Sequence, residues 1–434
     1  MIKRLPGRRT RINVDSMNDD VNDDVITMAH GSGGASSAEL MRRVFSKYFT
    51  GEVLGRLEDS AVVGLSAGRA NADTETDAEA DLAITGKDLL IGKADHAIKG
   101  TELLIGGDRL AISTDSFVVE PLVFPGGDIG KLAVCGTVND VLMSGANPRW
   151  LTCGFILETG LPIELLDRIC ASLAASAEEA GVEIIAGDTK VIEGRADSSV
   201  DSRGLMINTT GIGIFEHRRD GSFCVQDRTQ KEPSLLCFPS PSGVQSDDVI
   251  IVSGNLGEHH AAILSARMGV ENNIQSDCAL LTPITTALRE AGVGIHAMRD
   301  VTRGGLATVL NELADASEVA IEIEEESIPV SKEVKAFCGI MGLDPLYMGN
   351  EGKVALAVAP GDAEKALAAI RGTKIGGEAA VIGKAFSAAG KSFCVHPSAI
   401  AAMRDAATGV FMKTRVGGTV RLDALYGEGL PRIC

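Results

Sequence analysis

The stretch "RLAISTDSFVVEPLVFPGGDIGKLAVCGTVNDVLMSGA" (Arg109–Ala146) changes its hydrophobic period halfway along. "RLAIST" alternates as a strand does, and "DIGKLAVCGTVNDVLMSGA" carries apolar residues at helical spacing. The alternation continues downstream. "LTCGFIL" reads as a second strand, and "PIELLDRICASLAASAEEAG" as a helix opened by Pro162. "VEIIAGDTK" is a third strand ending in polar residues, and "LMINTTGIGIF" a further one. Strands and helices interleaved in this way predict a layered, mixed α/β (α+β) fold.

Working outward, residues 217–246 hold turn formers and no stable period, and are expected to separate two domains. The pattern resumes with the strand "DDVIIVSG", the helix "HHAAILSARMG" and the strand "GVGIHAM". "RDVTRGGLATVLNELADAS" starts in a Gly-rich turn and runs into a helix. The strands "AIEIEEESIPV", "KVALAVA" and "AAVIGKAF" follow, with "GDAEKALAAIRG" helical between the last two. Upstream, ordered sequence is expected from about Met28, with a helix from about Ala38 to Tyr48. Residues 1–27 read as a disordered polar extension, and residues 66–100 as a surface insertion. The expected division is residues 28–216, the linker 217–246, residues 247–415, and a tail over 416–434.

Two or three domains also suit a chain of 434 residues. Only 4% of residues are aromatic, so the core is built from Ala, Val, Ile and Leu. A net charge of -18 argues against a nucleic-acid groove or an anionic membrane surface. No run reaches the ~18–20 apolar residues of a membrane span, and no secretory signal opens the chain. Nine cysteines without a CxxC pair give neither a zinc site nor a disulfide framework. A reducing, cytoplasmic setting is expected, in which the terminal Cys434 stays a free thiol.

Polar clusters sit at the ends of the predicted elements, where sites gather in α/β folds. They are "STDSF" with Asp115, "TVND" with Asn139 and Asp140, and "AGDTK" with Asp188 and Lys190. "HGSGG", with Gly33 and Gly34, offers flexible backbone amides. Carboxylates joined by an amide suit Mg²⁺, which also recruits phosphate oxygens, and Lys190 is spaced to reach the same phosphates. The plainer alternative is that each Asp caps a turn or helix. In "RDVTRGG" the glycines ahead of a helix suit an anion, unless Asp300 or Thr302 is a simple N-cap. Glu351 in "NEGK" is an acid/base candidate, although a lone Glu is usually a surface residue. His259 and His260 read as polar residues of a helix start.

These segments, together with "CGFILETGLP", "SDCALLTP", "NEGKVALAV" and the final "LPRIC", resemble the HypE hydrogenase-maturation family. That family consists of carbamoyl dehydratases of the PurM-like (aminoimidazole-ribonucleotide-synthetase) superfamily. The resemblance runs from about Met28 to Cys434, interrupted near residues 66–100, 193–203 and 217–246. A usual Gly-Asp-His-Gly is here "GEHH", with Glu258 and His260 as the departures.

The resemblance implies a two-domain fold whose N-terminal strands complete a β-barrel in a homodimer, a C-terminal α/β domain and a flexible tail. It implies that a HypF-type carbamoyltransferase loads Cys434, and that ATP with Mg²⁺ then drives S–C(=O)NH₂ to S–C≡N. The cyanide would pass to a HypC–HypD iron scaffold. Asp115, Asn139, Asp140 and Asp188 become metal or nucleotide ligands, Lys190 offsets phosphoryl charge, and Glu351 with Lys190 accepts a proton. Gly427 and Gly429 give the tail swing, and Pro431 stiffens it. Among superfamily rivals, a selenophosphate synthetase needs an early reactive Cys, yet the first one here is Cys135. Thiamine-monophosphate kinase and aminoimidazole-ribonucleotide synthetase have no use for a terminal Cys. A non-catalytic thiolate scaffold lacks a second ligand beside Cys434.

Overall fold

The computed structural model describes residues 34–43, 60–64, 109–193, 204–215, 239–387, 408–427 and 433–434. The 1–27 extension, the 66–100 insertion, Gly33 and most of the 217–246 linker lie outside these residues.

The first unit is a five-stranded sheet in the order β1-β2-β7-β5-β6. Its strands are β1 (Ala61–Gly64), β2 (Arg109–Phe117), β5 (Asn147–Glu158), β6 (Glu183–Ile192) and β7 (Leu205–Ile214). A small ladder, β3 (Val123–Phe124) with β4 (Gly127–Asp128), leads into helix α2 (Ile129–Met143). Asp128 caps that helix by accepting from the Gly130 and Lys131 amides. Only Lys131 and Asp140 of α2 escape full burial, because the helix lies between the sheet and the second unit. Gly211 and Gly213 of β7 admit it. A Cβ at these positions would stand 2.8 Å from Thr137 and 2.4 Å from Val141. Helix α3 (Ile163–Ala180) is the crossover joining the parallel strands β5 and β6. Strand β6 ends the sheet with every residue exposed. Helix α1 (Ala35–Arg43) starts three residues earlier than its sequence suggests.

The second unit is a seven-stranded sheet in the order β14-β13-β10-β12-β8-β11-β9. Its strands are β8 (Val249–Val252), β9 (Ile295–Asp300), β10 (Val319–Glu324), β11 (Val354–Val358), β12 (Ala380–Ser387), β13 (Gly409–Lys413) and β14 (Thr419–Leu422). "VIIV" of β8 and "VALAV" of β11 are buried at every residue, so their apolar runs serve both faces. One face carries α6 (Gly305–Ser317), and the other carries α5 (Thr282–Glu290) and α8 (Ala363–Arg371). Helices α4 (Glu258–Met268) and α7 (Lys332–Met341) enclose a smaller core.

The core under α5 and α8 continues through α2, which fuses the two units. Helices α5 and α7 are absent from the sequence reading. Strand β14 falls within the residues assigned to the tail, and Val244 of the expected linker is already buried in the second core. No helix among the described residues is long and apolar enough to cross a membrane.

Candidate active site

The two units meet along the ends of β2 and α2, and there the chain's last two described residues fold inward. The Cys434 carbonyl accepts from the Val118 amide at 3.0 Å. Ile433 is 4% exposed and packs into the shared core. The Cys434 thiol lies against Glu351, with a side-chain hydrogen bond between them. Burial first, then the charges of Glu351 and Asp115, push the thiol up to about 12, although Arg303 pulls the other way. A docked Cys434 therefore keeps its proton at neutral pH and is a poor nucleophile.

Glu351 belongs to the "NEGK" turn ahead of β11. It is 3% exposed, and its Oε1 has no hydrogen-bond partner. Burial, then Asp300 and Asp277, hold this carboxyl well above the usual range, with Arg303 opposing. A buried carboxyl so tuned holds a proton more readily than an exposed one does. Its backbone is fixed by its amide, which donates to Asp277 Oδ1 at 3.1 Å. Asp277 Oδ2 in turn lies 3.0 Å from Lys353 Nζ, which also faces Glu258 at 3.5 Å. Burial works against the Lys353 charge, but Asp277 and Glu258 win and hold its pKa above the ordinary value.

Asp140 sits at the open end of α2, where Ser113 Oγ donates to it at 2.6 Å. Ser113 and Asp115 are two apart on β2 and share a face, so Asp115 and Asp140 lie on the same side of the sheet. Both charges favour the Arg303 cation, after the larger effect of Cys434 and that of Glu351. Two carboxylates suit Mg²⁺ when phosphate and water oxygens complete its shell. No group of three or more metal-ligating side chains occurs among the described residues.

Within one chain the geometry separates some of the expected site residues. Asp188 does not share a pocket with Asp115 and Asp140 within one chain. The ladder runs Asp115↔Thr209, Thr209↔Cys153, Cys153↔Gly187, three strand spacings, or about 14 Å. Asp188 and Lys190 instead pair with each other at 2.5 Å on exposed β6. That contact lowers the Asp188 pKa, chiefly through the hydrogen bond.

Asn139 spans the two units, donating to the Ala279 carbonyl at 3.0 Å and accepting from the Leu281 amide at 2.8 Å. This is a structural use of a residue expected to bind nucleotide. Gly34 is needed for a close approach, since a Cβ there would lie 2.3 Å from the Leu425 carbonyl oxygen. Neither Asp300 nor Thr302 caps α6, whose N-cap is Gly304 at φ 81°.

His259 and His260 do open α4, but both are buried. The sequence reading passed over Arg303, although it stands inside the singled-out "RDVTRGG". Ser276 stands in no pattern of its own, and the position of His259 at a helix start gives no sign of its burial.

Two family models match the chain: AIR synthase related protein, N-terminal domain, over residues 99–215, and AIR synthase related protein, C-terminal domain, over residues 245–395. A relative named carbamoyl dehydratase HypE, from Rhodobacter capsulatus, is 38% identical over 415 residues, covering 95% of this chain and 99% of its own. A solved HypE–HypF complex includes a chain of 34% identity and TM-score 0.66, with 89% of this chain and 99% of that one covered. A HypE structure in complex with ATP gives 37% identity and TM-score 0.63, covering 94% of this chain and 100% of that one.

Proposed function

This chain belongs to the family of HypE carbamoyl dehydratases, and we propose that it dehydrates an S-carbamoyl group on its own Cys434 to a thiocyanate for [NiFe]-hydrogenase maturation. The observation that carries this reading is the thiol set beside a buried carboxyl of raised pKa and a guanidinium. A carboxamide oxygen is a poor leaving group, and ATP supplies the phosphoryl group that makes it one. Two protons leave the nitrogen, one received by Glu351 and one carried off with the departing phosphate, and Arg303 offsets the negative charge that gathers beside Cys434. Asp115 and Asp140 are the residues that would hold Mg²⁺ with the phosphates. Because the docked thiol is held protonated, Cys434 is charged while the tail is out, by a HypF-type carbamoyltransferase. Its product then passes to a HypC–HypD iron scaffold in the cytoplasm.

Lys190 and Asp188 enter this mechanism from a second copy. Among the described residues their strand is an unpaired edge carrying the exposed apolar residues Ile184, Ile185, Val191 and Ile192, and such an edge invites pairing. A homodimer that closes the two open sheets into a barrel covers these residues and brings Lys190 toward the other copy's pocket.

The test is the mass of the C-terminal peptide. With a carbamoyltransferase, carbamoyl phosphate and ATP, Cys434 should gain a carbamoyl group and then lose one water. If the Cys434→Ala chain consumed the same partner-dependent ATP and bore the same adduct, the reading would be overturned.

A further inference from the structure

We propose that His259 and Ser276 form a latch of fixed tautomer that grips the tail by the Ile433 carbonyl. Ile433 is its anchor, and the Cys434 thiol, which hydrogen-bonds to Glu351, lies outside the latch. The inference rests on the dehydratase reading for its purpose, and on His259, Ser276, Gly349 and Ile433 for its geometry.

The proton positions follow from which atoms can donate. The Cys278 amide donates to Ser276 Oγ at 3.0 Å. The Ser276 hydroxyl proton is then free for its other neighbour, His259 Nδ1, at 2.7 Å. A ring nitrogen that accepts carries no proton, so the imidazole hydrogen sits on Nε2. That nitrogen faces the Ile433 carbonyl, which can only accept. Burial lowers the His259 pKa and keeps the ring neutral, so the donor stays single and directed.

The mount is rigid. Phe124 meets the ring edge-on, with centroids 5.4 Å apart and planes at 87°. The Ser276 amide is tied to the Pro125 carbonyl at 2.8 Å. The latch thus joins the β3–β4 turn of one unit to α4 of the other.

The anchor has its own slot. Gly349 lines it, and a Cβ there would stand 2.8 Å from Ile433 Cδ1. His260 holds that backbone in place, since its amide donates to the Gly349 carbonyl at 3.2 Å. Together with the Val118 bond to Cys434, the tail is fixed through backbone groups and one aliphatic side chain. Such a grip accepts the thiol, carbamoyl and cyano forms alike. His259 and Ser276 are therefore positioning residues, and the reacting atoms are left to Glu351.

The experiment is site-resolved alkylation of the full-length protein with N-ethylmaleimide, without partner or nucleotide. Cleavage after Lys413 releases residues 414–434, whose only cysteine is Cys434. Losing one buried hydrogen bond should open the docked state roughly tenfold more often. His259→Phe is therefore expected to label about tenfold faster. His259→Gln, which keeps a donor near the Nε2 position, should stay close to wild type. Gly349→Ala and Ile433→Ala should each label faster, and the double variant no faster than Ile433→Ala alone, because the two changes act on one contact. In single-turnover assays on carbamoylated protein, His259→Phe should slow dehydration only as far as the docked fraction falls, by much less than tenfold, while carbamoylation proceeds at least as fast.

Wild-type labelling in His259→Phe, equal defects in the Phe and Gln variants, or additive effects of Gly349→Ala and Ile433→Ala would each overturn the latch. The Gly349 and Ile433 pair decides the matter alone if His259→Phe does not fold. If wild-type protein never lost water with ATP, the dehydratase reading would fall, and labelling would still judge the latch.

Discussion

Replacing Glu351 by Gln separates what the carboxyl does for the reaction from what it does to the fold. Its pKa is raised by burial, then by Asp300 and Asp277. The folded chain therefore holds this proton more tightly than the unfolded chain does. Below the ordinary carboxylate range both states are protonated and the site contributes nothing. As pH climbs from there toward the raised value, the unfolded state ionises first and stability falls. The slope is about 1.4 kcal/mol per pH unit. Above the raised value the loss is complete.

Gln has no proton to lose and removes the slope. With about 2–4 °C of Tm per kcal/mol in a unit of this size, the Gln variant should match wild type near pH 4 and then gain roughly 3–6 °C per pH unit. Scanning fluorimetry in buffers from pH 4 to 8 reads this directly. Dehydration should meanwhile fall by roughly 10²–10⁴-fold, the usual effect of removing a general base. A Tm difference constant across pH, or normal dehydration in the variant, would refute the reasoning.

Removing the charge that opposes this shift gives a complementary result. Arg303→Met should move the rise of the wild-type pH–rate profile to higher pH, as read by dehydration rates at fixed ATP. Lys190→Ala should keep the carbamoyl adduct yet block its dehydration, seen as a peptide that gains mass and never loses water. Co-expressing Lys190→Ala with Glu351→Gln chains should restore roughly a quarter of wild-type activity if each site draws on two copies, and none if it does not. Gly352→Ala would set a Cβ 2.0 Å from the Asp277 carbonyl oxygen, so a loss on the order of 3 kcal/mol is expected in thermal unfolding.

The elements that are apolar along their whole length were legible in the sequence because burial is complete or nearly so along them. Helix α2 and strands β8 and β11 are of this kind. Helix α5 is short and opens on Thr282 and Pro283, so its nine residues carry too few apolar positions to declare a face. Glu351 and Cys434 were legible only through the resemblance, since neither stands in a local pattern that marks it. Lys190 and Asp188 were read together with Asp115 because all end in similar turns. What separates them is strand order, with β7 and β5 lying between, and no local sequence rule reports that. His259 and Ser276 act through contacts 174 and 17 residues apart in sequence, beyond the reach of any periodic signal.

The same strand order governs how the chain can fold. Strand β7 is the middle strand of the first sheet, yet it is the last of the five to be synthesised. Until it arrives, β2 can pair only with β1, and β5 only with β6. The sheet therefore closes by inserting one strand between two waiting pairs, a step that joins residues far apart in the chain and is slow for that reason. Meanwhile the apolar side of α2 has no sheet to cover it. The first unit spends its synthesis as two separate half-sheets with exposed edges, the species on which aggregation and chaperone binding act.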